Sequence, residues 1–260
     1  MTLGIRENRI GHGLSRDERR TRALMLGLTV SEVVVDRVSL LDPRAPSVAV
    51  SCSVPSSLPV ISVCLDHLMS RTLGDQILTP FQTLVQALVA DADRVVTALS
   101  TPEIAKPFVL LPCLGCASLQ VEATQEAALT LFNSMVCQNP LVVEVDLSLR
   151  ETTALLDRCP SVSLCLDLGN LRTYEQEDMG WCALAPRIAL CHLKHRSWGS
   201  AITRHLPEGP SALVWYQTRL SALRDHGFDG PVILETPEPV LADDLSRNVE
   251  RAHLILRSAA

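Results

Sequence analysis

Residues 188–196 read Ile-Ala-Leu-Cys-His-Leu-Lys-His-Arg, an apolar run that ends in imidazole and ammonium groups. Short runs of this kind, rich in Val, Ile and Leu, are typical of strands that are buried on both faces of a parallel sheet. Similar runs end at Glu144, Asp167 and Glu235. Because the carboxyl ends of parallel strands share one edge, the pattern indicates an α/β fold with its functional site at that edge.

Apolar runs alternate with helix-like segments along the whole chain. We predict strands at residues 9–13, 32–35, 59–65, 107–111, 141–145, 162–166, 188–191 and 232–234. We predict helices at residues 16–26, 81–99, 119–135, 151–157, 175–184, 212–226 and 241–256. Eight strands that alternate with helices indicate a (β/α)8 TIM barrel, whereas an open doubly wound sheet usually carries a Gly-rich first turn, and none occurs here. A single barrel typically has about 250 residues, so residues 1–260 are predicted to form one domain.

The composition argues against a membrane-spanning protein and against a nucleic-acid-binding protein. No stretch of about 20 residues is free of charge and proline, so no transmembrane helix is predicted, and charged residues interrupt any amino-terminal signal-like run. The net charge of −6 and the absence of a basic run argue against a nucleic-acid partner. We therefore expect a cytoplasmic protein with a small-molecule substrate and no membrane or nucleic-acid partner. The sequence leaves open whether the chain forms a homo-oligomer.

Four polar residues follow four consecutive predicted strands: Glu144, Asp167, His192 and Glu235. Burying such groups without partners costs on the order of several kcal/mol each. An ion-pair network with nearby cations would avoid that cost, and so would a bound metal. Three carboxylates and one neutral imidazole suit Mn²⁺, Mg²⁺, Co²⁺ or Zn²⁺.

Segments at these strand ends carry a family resemblance: Val143-Glu144, Leu166-Asp167-Leu168-Gly169-Asn170, His192-Leu193-Lys194 and Val232-Ile233-Leu234-Glu235. They resemble the xylose-isomerase-like barrels of the sugar-phosphate isomerase/epimerase superfamily, as do residues 205–210 and 223–231. The resemblance implies one divalent metal ion held by Glu144, Asp167, His192 and Glu235. It also implies that the two glutamates act as an acid/base pair while the metal stabilises an enediolate.

Further residues are candidates for substrate contact. Lys194 lies two residues beyond His192 and leaves the strand on the same side, where it could bind a substrate oxygen or form a structural salt bridge. His12 and His67 end the first and third predicted strands, and each could equally be a core histidine. Asn170 and His195 stand where the family often has histidine and aspartate, and these two departures put ordinary sugar chemistry in doubt.

The sequence supports one leading function and two alternatives. The first is a metal-dependent isomerase or epimerase that acts on a small polyhydroxylated carbonyl compound, with Glu144, Glu235 and Lys194 as catalytic residues. The same enediolate route could expel a hydroxyl group, which would make the protein a dehydratase of the inosose or dehydroshikimate type. The third reading is a non-catalytic binding barrel. Phosphodiester cleavage on DNA is disfavoured by the acidic charge and by the ligand set, which provides for a single metal.

Overall fold

The computed structural model describes residues 1–11, 13–34, 57–64, 106–115, 139–173, 179–196, 203–237 and 242–258. Two helices predicted at residues 81–99 and 119–135 lie outside the described residues. His12 and His67 also lie outside them, so the predictions for these two histidines stay predictions.

Among the described residues, eight of the ten strands form a closed parallel barrel, which confirms the predicted fold class. The ten strands are β1 (Leu3–Arg6), β2 (Val30–Val34), β3 (Val60–Cys64), β4 (Phe108–Gly115), β5 (Leu141–Asp146), β6 (Val162–Asp167), β7 (Ile188–Leu193), β8 (His195–Arg196), β9 (Thr203–Arg204) and β10 (Val232–Leu234). The barrel order is β1-β10-β7-β6-β5-β4-β3-β2, and β8 and β9 form a separate antiparallel pair.

The described helices alternate with the strands. They are α1 (Arg16–Met25), α2 (Leu149–Arg158), α3 (Leu168–Thr173), α4 (Pro210–Asp225) and α5 (Ala242–Ser258), with 3-10 helices at Glu7–Arg9 and Met179–Arg187. The predicted helices at 16–26, 151–157, 212–226 and 241–256 agree with α1, α2, α4 and α5 to within two residues. None of the helices in the described ranges has the length and apolar character needed to cross a bilayer.

The predicted first strand at residues 9–13 is wrong, because β1 is Leu3–Arg6. Leu3 and Ile5 are buried and pair in register with Val232 and Leu234 of β10. Residues Glu7–Arg9 form a 3-10 helix instead, and Gly13 has a φ of 75°, a conformation that favours a turn.

The helix predicted at residues 175–184 is also wrong within its described part. Met179–Arg187 is a 3-10 helix, and it contains Pro186. Proline has no N–H group to donate to the residue four positions earlier, so it disfavours a regular α-helix here.

The chain divides into two compact units, residues 1–31 with 165–260 and residues 32–164. The prediction of one domain over residues 1–260 stays a prediction. In the first unit, the buried residues of α5 recur at helical spacing and form one apolar stripe: Leu245, Val249, Ala252 and Ile255. In the second unit, β3 pairs with β4 and β4 with β5, and α2 is capped by Ser148, whose hydroxyl accepts a hydrogen bond from the Glu151 N–H.

Three of the buried cysteines lie in the apolar runs that form strands. Cys64, Cys165 and Cys191 are buried within their strands. Burial raises the pKa of the Cys191 thiol well above its usual range, so this side chain is a neutral, small hydrophobic group.

Strands β7 and β10 approach each other closely next to Gly230. The Cys191 N–H donates to the Pro231 carbonyl oxygen at 3.0 Å. A Cβ atom on Gly230 would lie only 2.3 Å from the Ala189 carbonyl oxygen. Glycine is therefore needed at position 230 for β10 to pair with β7.

We expect Gly230→Ala to lower the free energy of unfolding by about 1–3 kcal/mol, because the added methyl group overpacks this contact. Urea denaturation measures the change. Gly209→Ala is the matched control, since its Cβ would meet no atom closer than the Ser211 Oγ at 4.0 Å. An equal loss of stability in both variants would contradict the explanation.

Candidate functional site

Five ionisable side chains of the first unit gather at the carboxyl ends of its strands. Arg6 ends β1, Asp167 ends β6, His192 lies in β7, Lys194 follows β7, and Glu235 follows β10. Each of the five is less than a tenth exposed, and His192 is completely buried. We call this group the Glu235 cluster.

The Glu235 carboxylate is the centre of the cluster. Its Oε1 atom lies 2.6 Å from Arg6 Nη2 and 3.0 Å from His192 Nδ1. Its Oε2 atom lies 3.3 Å from Lys194 Nζ. The Glu235 N–H donates to the Leu193 carbonyl oxygen at 3.0 Å, which fixes the start of the side chain beside β7.

The charges around Glu235 determine its protonation state. Burial by itself would raise the pKa of the Glu235 carboxyl. Arg6, Lys194 and His192 outweigh that effect and hold the pKa well below its usual range. Glu235 is therefore an ionised carboxylate at neutral pH, which is the form that binds a cation or accepts a proton.

Asp167 is oriented by the helix that follows it. Its Oδ1 atom accepts hydrogen bonds from the N–H groups of Gly169 at 2.8 Å and Asn170 at 3.1 Å, at the start of α3. These are the bonds of a helix N-cap. The second carboxylate oxygen of Asp167 forms an ion pair with Lys194 Nζ.

Gly169 makes room for Lys194. A Cβ atom at position 169 would lie 2.5 Å from Lys194 Cγ and 3.2 Å from Asp167 Oδ1. Only glycine therefore lets the lysine stem pass over the first turn of α3 to reach Asp167 and Glu235.

A family model described as a xylose isomerase-like TIM barrel matches residues 126–258, a range that contains Glu144 and four of the five residues of the cluster. The chain belongs to this family. The predicted resemblance is therefore confirmed. No curated protein matches the chain.

Solved structures share the family fold over the full length of the chain. A xylose isomerase domain protein from Alicyclobacillus acidocaldarius has 15% identity and a TM-score of 0.67, with coverage of 100% of this chain and 99% of that chain. An L-ribulose 3-epimerase has 16% identity and a TM-score of 0.60, with coverage of 100% and 96%. A family protein from Mycobacterium smegmatis, in complex with magnesium, has 14% identity and a TM-score of 0.62, with coverage of 100% and 98%.

Asn170 and His195, the two departures from the family pattern, have defined partners. The buried Asn170 side chain accepts a hydrogen bond from Arg196 Nη1 through its Oδ1 atom. The partly exposed His195 has its Nδ1 atom 3.1 Å from the Tyr216 hydroxyl. Tyr216 in turn donates to the Lys194 carbonyl oxygen at 3.1 Å. Because the single Tyr216 hydroxyl hydrogen is used in this bond, the His195 Nδ1–H group is the donor of the hydrogen bond to the Tyr216 oxygen.

The fourth predicted metal ligand, Glu144, belongs to the second unit. It lies in β5, and its side chain is 1% exposed. Glu32 is also completely buried in β2 of that unit, and its Oε2 atom accepts a hydrogen bond from Ser62 Oγ at 2.8 Å. Whether Glu144 acts together with the first-unit residues stays a prediction.

The chemistry of the buried charges fits a divalent cation. Within the first unit, Asp167 and Glu235 both contact the Lys194 ammonium group, and Glu235 also contacts the His192 imidazole. Carboxylate oxygens with one imidazole are a suitable donor set for such an ion.

Arg6 is a residue of the cluster that the sequence reasoning missed. The run Leu3-Gly4-Ile5-Arg6 shows the signal used for the other strands, a short apolar run that ends in a charged residue. Arg6 was missed because the first strand was predicted at residues 9–13 and not at Leu3–Arg6.

We expect Gly169→Ala to destabilise the protein by about 1–3 kcal/mol, because the new methyl group collides with Lys194. A double-mutant cycle tests the cause. Lys194→Ala removes Cγ, so the same glycine substitution should cost less in that background. An equal cost with and without the lysine side chain, measured by urea denaturation, would show that the collision is not responsible.

Proposed function

We propose that the chain is a divalent-metal-dependent isomerase or epimerase that acts on a small polyhydroxylated carbonyl compound through an enediolate. The observation that carries this proposal is the buried Glu235 cluster at the carboxyl ends of the barrel strands, where functional sites of TIM barrels lie. Family membership and the likeness to a sugar epimerase fold agree with it.

Asp167, His192 and Glu235, together with Glu144, would hold one Mn²⁺, Mg²⁺, Co²⁺ or Zn²⁺ ion. The chemistry of the donors, carboxylate oxygens with one imidazole, supports this ligand set. When bound, the metal would polarise the substrate carbonyl group and stabilise the enediolate. Asp167 offers a preset ligand orientation, because two backbone N–H groups already hold its Oδ1 atom.

The two glutamates would move the proton. Either Glu144 or Glu235 removes a proton from the carbon next to the carbonyl group, and the other glutamate or a water molecule returns it. A positioned carboxylate of this kind contributes about 10²–10⁴ in rate. The surrounding cations keep Glu235 ionised, which is the state that a base requires.

Lys194 would stabilise negative charge that develops on a substrate oxygen. Its ammonium group contacts both Asp167 and Glu235, so it lies beside the proposed reaction centre.

The same enediolate could lose a hydroxyl group β to the carbonyl. Such a loss would make the reaction a dehydration, and the product distinguishes the two outcomes.

Metal analysis tests the ligand set. We expect the purified protein to bind about one divalent ion per chain, and Asp167→Asn to weaken binding at least about tenfold, because even outer ligand partners contribute that much. Asp243→Asn, at an exposed aspartate of α5, is the matched control. If the wild-type protein binds no metal under any loading condition, the proposed ligands are part of a buried ion-pair network. A non-catalytic binding barrel would then be the better interpretation of the function.

Proton exchange tests the reaction. With the metal-loaded protein in D₂O, we expect deuterium to enter the carbon next to the carbonyl group of a hydroxy-ketone substrate. Glu235→Gln should slow this exchange by at least about 100-fold, whereas Glu250→Gln on the exposed side of α5 should leave it unchanged. NMR measures the exchange and also detects a dehydrated product. Exchange at the wild-type rate in Glu235→Gln would rule out Glu235 as a base.

A further inference from the structure

Arg196 lies at the edge of the Glu235 cluster. It is the second residue of β8, two residues beyond Lys194. Its Nη1 atom donates to Oδ1 of Asn170, and the Asn170 N–H donates to Oδ1 of Asp167 at 3.1 Å. Asn170 therefore contacts the Arg196 guanidinium through its side chain and a proposed metal ligand, Asp167, through its backbone N–H.

The electrostatic environment of Arg196 differs from that of the other two cations at the site. Arg6 and Lys194 form ion pairs with carboxylates of the cluster. Arg196 has only the neutral Asn170 amide as a side-chain partner in the part of the chain that the structure describes, and its Nε atom is buried without a hydrogen bond there. A buried N–H donor is usually hydrogen-bonded, and no anionic side chain among the described residues pairs with this guanidinium.

The backbone around Arg196 is held on two sides. Arg196 pairs with Thr203 across the antiparallel β8–β9 ladder. The Tyr216 hydroxyl donates to the carbonyl oxygen of Lys194, just before β8. The backbone of Arg196 is thus held by the β8–β9 pairing and by Tyr216, and Asn170 contacts one edge of the guanidinium.

We infer that Arg196 binds an anionic group of the substrate, either a carboxylate or a phosphate. A guanidinium offers five N–H donors in a planar fork, so donors remain for an anion after the bond to Asn170 is made. This inference names the substrate class of the site in the proposed function and rests on it: the polyhydroxylated carbonyl compound carries a negative charge. Arg196 would set specificity, while the Glu235 cluster carries out the chemistry.

The test is the binding of two matched pairs of probes to the full chain, measured by titration calorimetry with and without Mg²⁺. The pairs are dihydroxyacetone phosphate with dihydroxyacetone, and glycerate with glycerol. We expect the wild-type protein to bind at least one anion about tenfold or more tightly than its neutral counterpart, as a charge-assisted hydrogen bond provides. The pair with the larger preference identifies phosphate or carboxylate as the substrate group.

Three variants separate the charge of Arg196 from its structural role. Arg196→Gln keeps an amide donor for Asn170 but removes the charge, and it should abolish the preference for the anion. Arg196→Lys keeps the charge without the fork and should retain part of the preference. Arg204→Gln removes an exposed charge from the same hairpin and should retain all of it.

The outcomes distinguish this inference from the proposed function. No anion preference in the wild-type protein, an unchanged preference in Arg196→Gln, or an equal loss in Arg204→Gln would each overturn the role of Arg196. Metal binding combined with any of these results would leave the proposed function standing. An Arg196-dependent preference in a protein that binds no metal would retain the anion site and overturn the metal-dependent reaction.

Discussion

The structure of the site depends on the ionised carboxylate of Glu235, which is buried at the end of β10. Burial opposes its charge, and Arg6, Lys194 and His192 offset that cost from β1 and from the end of β7. These partners reach Glu235 because β10 pairs with β1 on one side and with β7 on the other. The pairing of β10 with β1 and β7 therefore brings the cations next to Glu235, and these cations keep Glu235 ionised.

Two glycines make this arrangement sterically feasible. Gly230 lets the chain enter β10 against the Ala189 carbonyl oxygen, and Gly169 lets the Lys194 stem cross the first turn of α3. Neither glycine contributes a functional group. Both are needed because a methyl group would collide with the Ala189 carbonyl oxygen at position 230 and with the Lys194 stem at position 169.

The cations near the site have different environments, and this difference separates their roles. Arg6 and Lys194 neutralise carboxylates that belong to the protein. Arg196 contacts an amide, and the positive charge that it brings is left for a ligand. Charge matching of this kind would let the site select an anionic substrate.

The sequence by itself determined the barrel class, seven of its eight strands, and the placement of Asp167, His192, Lys194 and Glu235 at strand ends. It could do so because apolar runs and the polar residues that end them are local signals. Only the tertiary structure identified β1, because the pairing of Leu3–Ile5 with Val232–Leu234 of β10 decided which amino-terminal segment joins the barrel. It also decided that Arg6 joins Glu235 and that Arg196 faces Asn170, because these contacts join residues that are far apart in the chain and leave no local pattern.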